Sequence, residues 1–216
     1  MGTKKMAKVF TCQLCGKEYE SCAKKTYYCL ECEAVMRNVK KMRMIDKAEK
    51  TLKKKQLIGN RYFAHDNVDE YIKIVRDRMM DGVDNLQSKP EVEVAVQLQR
   101  IHLGYEAQKD IGGCTVDFYI PKIHAVLEID GSLYHADEDK VFLRDRRIMS
   151  YLGERWDIIH ISSEMVPNYT WNLAEAIPYI LLKRKDAHSF RDPSADSLYI
   201  EEFAFFEEYM LKNGRR

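Results

Sequence analysis

Residues 114–130 read CTVDFYIPKIHAVLEID, two strand-length apolar runs joined at a proline, and each run carries acid. Alternation from Cys114 to Ile120 predicts a strand ending at Pro121, and His124 to Asp130 predicts a second, more apolar strand. Asp117 interrupts the first, while Glu128 and Asp130 end the second. A carboxylate in an apolar strand is costly to bury unless a cation or hydrogen bonds compensate it. Neighbouring strands with acids at matching depth bring hard oxygen ligands together, which suits Mg2+ beside a phosphate. Positions 128 and 130 lie on the same face of an extended strand, so both can serve one site.

Working outward, Ser88-Lys-Pro-Glu91 reads as a helix start, and Val92, Val94, Ala95, Leu98 and Ile101 carry the helix to Leu103-Gly104. Tyr105 to Lys109 predicts a short strand, Gly112-Gly113 a tight turn, Arg144 to Leu152 a helix, and Trp156 to Ser162 a buried strand. This order predicts an α/β fold with a mixed central sheet flanked by helices.

Towards the N-terminus the pattern changes to cysteine. Cys12 and Cys15 form one CxxC pair, Cys29 and Cys32 another, with thirteen residues between the pairs. Two such knuckles supply the four soft ligands of a tetrahedral zinc ion, and a site with four protein ligands is structural. Gly16 suits the knuckle, and Phe10, Tyr19, Tyr27 and Tyr28 can cap a module that should not fold without metal. Cys22 reads as a spare thiol and Cys114 as a small buried residue.

Glu33 to Gln56 predicts a helix, and the basic run within it contains Lys40, Lys41, Arg43, Lys53, Lys54 and Lys55, candidates for the phosphates of duplex DNA. Asn67 to Met80 predicts another helix on Val68, Tyr71, Ile72, Val75 and Met79. Trp171 to Lys185, broken at Pro178, and Leu198 to Leu211 predict helices docking on the core.

The chain of 216 residues carries a net charge of +1, which by itself says nothing about nucleic acid; its distribution, a basic arm beside an acidic core, says more. The apolar stretch Ile177 to Leu182 falls far short of a membrane span, and the first ten residues lack a signal region, so a cytoplasmic protein is expected.

The stretch from Ser88 to Val166, about a third of the chain, resembles the very-short-patch-repair-like branch of the PD-(D/E)xK endonucleases and its EDxHD-type homing endonuclease relatives. The resemblance rests on Glu91, Val116-Asp117-Phe118, Glu128-Ile-Asp130-Gly131, His135 and Arg144-Asp145-Arg146-Arg147, in that order. It implies a restriction-endonuclease-like fold and a Mg2+-dependent DNA endonuclease in a bacterial or phage-infected cell. Asp117 would be the central Mg2+ ligand with Glu128 or Asp130, and His135 a general base or the group orienting the attacking water. Glu91 would be a second-metal or supporting acid, and Asp145 an orienter of His135. The lysine of the generic Glu-x-Lys pattern is replaced by Asp130, which passes its role to His135 or to a lysine such as Lys140. The other histidines, His65, His102, His124, His160 and His188, read as structural.

The expected organisation is a zinc module at 1–36, a basic helical linker at 37–87, a nuclease core at 88–185 and a helical tail at 186–216. Cutting both strands with one site per chain would call for a homodimer. A non-catalytic nucleic-acid-binding protein on the same scaffold is the second expectation, and a zinc-borne protein adaptor the third.

Overall fold

The computed structural model describes residues 7–23, 25–57, 67–131 and 138–163, with Val166 and Ile177; for residues 55–57 and 138 it describes the backbone. The tail helices expected over 171–185 and 198–211 lie outside these residues, apart from Ile177, which is helical and buried. The chain divides into two compact units, Met1–Arg43 and Met44–Arg216. That division falls inside a helix, so the segment expected as a linker over 37–87 is shared between the two.

In the first unit, β1 (Lys8–Thr11) pairs antiparallel with β2 (Glu18–Ser21), Lys8 opposite Ser21 and Thr11 opposite Glu18. The turn between them is the first cysteine knuckle: Gly16 takes φ +71°, and its N–H donates to the Cys12 carbonyl at 2.9 Å. Helix α1 (Leu30–Leu57) begins three residues earlier than expected, so Cys32 lies in its first turn. The Glu33 N–H bonds the Cys29 carbonyl at 2.8 Å, and Glu31 and Glu33 suit the positive end of the helix dipole.

In the second unit, α1 buries Ile45, Ala48 and Leu52, one face at helical spacing. Glu49 beside that face accepts from Arg76 of α2 (Val68–Met80) at 2.7 Å. Val68, Ile72, Val75 and Met79 are the buried side of α2, as their spacing predicts. Helix α3 (Lys89–Arg100) starts at the expected cap: the Glu91 N–H donates to Ser88 Oγ at 3.3 Å, with Pro90 in the first turn. Unlike a surface helix, α3 is buried without interruption from Glu91 to Leu98. Its polar members are accommodated by charge, with Lys89 3.0 Å from Glu93 and Arg100 Nε donating to Gln97 at 2.8 Å.

The sheet runs in the order β3 (Glu106–Ile111), β4 (Cys114–Ile120), β5 (Ala125–Asp130), β6 (Asp157–Ser162). The first three are antiparallel neighbours; β6 lies parallel to β5, reached through helix α4 (Glu138–Leu152). The sheet is therefore mixed, as expected. Gly112 and Gly113 make the β3–β4 turn at φ +60° and +80°. Pro121 ends β4 and opens a single 3-10 turn, and His124 at φ +51° redirects the chain into β5. Phe118, Ile120 and Leu127 are among the most deeply buried side chains, while Val116, Val126, Ile148 and Ile158 join α4 to the sheet. No helix among the described residues is long and apolar enough to cross a membrane.

Candidate functional site

Strand register gathers the acids. The pairs Ala107–Phe118 and Lys109–Val116 flank Gln108 and set it opposite Asp117. The β4–β5 ladder ends at Phe118–Leu127, one residue short of Asp117 and Glu128, and Glu128 pairs with His160. Gln108, Asp117, Glu128 and His160 thus stand at neighbouring positions on the four strands, in one row of the sheet. Where the β4–β5 ladder stops, Asp117 continues it with its side chain: Oδ2 accepts from the Ile129 N–H at 2.7 Å.

Each acid in and beside this row has a protein donor. The single nitrogen Nε2 of Gln108 donates to Asp117 Oδ1 at 2.9 Å and to Glu91 Oε2 at 3.1 Å, and Gln108 takes φ +53°, a left-handed conformation unusual inside a strand. Glu91, buried at the start of α3, accepts also from the Gln87 N–H at 2.8 Å. Glu128 accepts from Arg144 Nη2 of α4 at 2.8 Å, and the same nitrogen donates to the Thr115 carbonyl. Asp130 and Asp145 are both bound by His160, Nδ1 at 2.9 Å from Asp130 Oδ2 and Nε2 at 2.8 Å from Asp145 Oδ2.

Burial dominates the electrostatics. It pushes the Glu91 and Asp117 carboxyls above their usual range, against the lowering pull of their hydrogen bonds. It raises Glu128 to about 7, even with Arg144 alongside. Burial pulls the His160 imidazole down, but Asp130 and Asp145 outweigh it and hold the group up at about 9. A carboxylate oxygen on each ring nitrogen favours the imidazolium, the form in which both nitrogens donate.

Asp145 thus meets His160. His135, the partner expected for it, lies outside the described residues. His160 joins the acids rather than standing apart as a structural histidine, and Gln108 had no expected role at all. Two signals bore on them: His160 is a titratable residue in the apolar strand after the Arg-Asp helix, and Gln108 is a polar residue one turn before the glycine pair.

The four cysteines form a separate centre. The Sγ atoms of Cys12, Cys15, Cys29 and Cys32 all lie within 4.8 Å of one another, and no disulfide joins them. Cys15 and Cys29 sulfurs are 3.8 Å apart, which matches the edge of a tetrahedron with metal–sulfur bonds of about 2.3 Å. Tyr19 and Tyr28 pack against the cluster. Burial raises the Cys12 thiol, but backbone hydrogen bonds at Cys29, Cys15 and Leu14 outweigh it and bring the group down to about 6. Four soft donors at these distances suit zinc. Cys22 is exposed outside the cluster, and Cys114, the first residue of β4, is half-buried. Among the described residues no second set of three Cys, His, Asp or Glu ligand atoms lies so close together. The hard oxygens of the acid row are of the kind Mg2+ takes, but in this arrangement Gln108, Arg144 and His160 stand between them.

On α1, Lys40, Arg43 and Lys54 are exposed and Lys41 is half-buried. Lys53 pairs with Glu49 at 2.7 Å and Asp69 at 2.8 Å. The side chain of Lys55 lies outside the described residues.

No family, curated protein or solved structure matches this chain.

Proposed function

We propose that the protein is a Mg2+-dependent DNA endonuclease on a restriction-endonuclease-like core, with its cysteine module and the basic face of α1 contributing to DNA binding. The observation that carries this reading is Gln108 donating to both Asp117 and Glu91, with Glu128 next beyond the last β4–β5 pair. Three carboxylates gathered from β4, β5 and α3 cost more to bury than a fold needs for stability; a cation beside a phosphodiester gives them a purpose.

In this reading Asp117 and Glu128, with Asp130, would hold a Mg2+ ion, which would lower the pKa of a bound water and offset charge on the phosphate. Arg144 provides the positive charge that the generic pattern draws from lysine, at whose position Asp130 stands. Its guanidinium lies 2.8 Å from Glu128 and less than a quarter exposed, placed to donate to a phosphate oxygen. His135 remains the proposed base, and Lys40, Arg43 and Lys54 the proposed grip on the DNA backbone.

Plasmid incubated with purified protein and Mg2+ or Mn2+ tests the reading. Nicks or breaks that Asp117→Ala abolishes support it; no cleavage of plain, mismatched or branched DNA by the wild type refutes it.

One observation favours a second reading, a non-catalytic nucleic-acid-binding protein: each acid of the site already has a protein partner. Salt-dependent DNA binding without metal-dependent turnover identifies that case.

A further inference from the structure

His160 is 3% exposed and has a buried carboxylate on each ring nitrogen. A histidine that only fills space needs neither. The two acids come from different elements: Asp130 from the end of β5 and Asp145 from the middle of α4.

A longer connection follows from the same contacts. Asp145 Oδ2 binds His160, and Asp145 Oδ1, buried and without a hydrogen-bond partner, lies 3.8 Å from Arg144 Nη1. Arg144 reaches Glu128, and Glu128 is two residues before Asp130 on β5. Glu128, Arg144, Asp145, His160 and Asp130 therefore form an open chain of alternating acid and base whose two acidic ends sit on one strand. His160 is the link that reaches the second end. Bonded at both nitrogens, the ring holds the Asp130 carboxylate through Oδ2.

We infer that His160 is a positioning residue for the proposed phosphodiester hydrolysis, orienting the Asp130 carboxylate from an anchor on Asp145. The inference rests on the endonuclease reading. It differs from a packing role in what it demands: donors at both nitrogens, not the shape of the ring. Groups that orient metal-ligating carboxylates and histidines typically change metal affinity or activity by about 10- to 100-fold when replaced.

The test uses the full-length, zinc-loaded chain as wild type, His160→Gln, His160→Phe and Asp145→Asn. Gln carries its donors on one nitrogen and cannot span the two carboxylates as the two ring nitrogens do, Phe fills the space with no donor, and Asn keeps the shape of Asp145 while losing its charge. Mn2+ affinity is read by electron paramagnetic resonance at fixed pH, folding by circular dichroism and melting, and kcat and KM on plasmid. The expected result is folded variants whose Mn2+ dissociation constant rises about 10-fold or more and whose kcat falls by up to about 100-fold, with KM for DNA unchanged. Phe should do no better than Gln, and Asp145→Asn should move in the same direction.

Either His160 variant keeping wild-type Mn2+ affinity and kcat overturns the inference. If neither folds, Asp145→Asn decides, and wild-type Mn2+ affinity in that variant overturns it. A wild type that binds no Mn2+ sinks the endonuclease reading and this inference together. A wild type that binds and cleaves while His160→Gln does so equally sinks this inference alone.

Discussion

Arg144 donates to Glu128 at 2.8 Å from the neighbouring helix, so the positive charge beside Glu128 comes from α4 and not from the strand itself. Removing one member of a buried pair strands the other. Arg144→Ala should destabilise the protein by about 1–3 kcal/mol, below the fully buried range because Arg144 is partly exposed. Glu128→Gln added to it should recover much of that loss. Chemical denaturation of the two single variants and the double gives the coupling; additive losses would show that the two side chains do not interact.

Gln108 invites a comparison of two replacements. Gln108→Leu leaves Glu91 and Asp117 short of a donor and should cost about 1–3 kcal/mol. Gln108→Gly loses the same bonds but relieves a left-handed backbone, a saving of about 1 kcal/mol. Thermal melts should therefore rank wild type, then Gly, then Leu, and Mn2+ should raise the Leu melting temperature more than the wild-type one.

Zinc makes a separate prediction. Metal analysis of the purified chain should find one zinc ion, lost from Cys12→Ser and Cys32→Ser and kept in Cys22→Ser. Strong chelation should abolish the amide protection of the β1–β2 hairpin, whose four-residue strands cannot stand alone.

A pH effect follows from Tyr105, just before β3 and bonded outside the acid row. Its hydroxyl donates to Asp84 at 3.0 Å, and Asp84 also accepts two bonds from Arg78, at 2.7 and 2.8 Å. Burial, then the Asp84 charge, pushes the phenol above its usual value near 10. A group raised on folding stabilises while both states keep the proton, so this contribution is intact below pH 10. It declines above pH 10, where the unfolded chain releases the proton first, by up to about 1.4 kcal/mol per pH unit. Tyr105→Phe should flatten that part of a stability profile between pH 9 and 11.

The boundaries that were legible in the chain are those set by local chemistry. Ser88, Pro90 and Glu91 mark a helix start because capping involves four consecutive residues. Cys114 to Ile120 ends as expected because a proline follows it. Asp117 and Glu128 as neighbours on β4 and β5 could be anticipated because two strands joined by a short turn pair antiparallel, and matching depth then puts the acids together. The partners of His160 were hidden because they are 30 and 15 residues away and meet it only through parallel pairing and the packing of α4. Nothing in Glu106 to Ile111 announces a left-handed residue, since that conformation is imposed by what Gln108 reaches for. The β1–β2 hairpin escaped notice because four residues per strand are too few to display alternation.

The parallel β5–β6 pair also orders events during synthesis. The antiparallel strands β3, β4 and β5 can assemble as soon as residue 130 is free of the ribosome, while β6 is still held back in the exit tunnel. Until it emerges, Asp130 and Asp145 have no partner from β6. A nascent or truncated chain stopping before β6 can hold the acids without their full geometry. The acid cluster is finished only by the strand that also completes the four-stranded sheet.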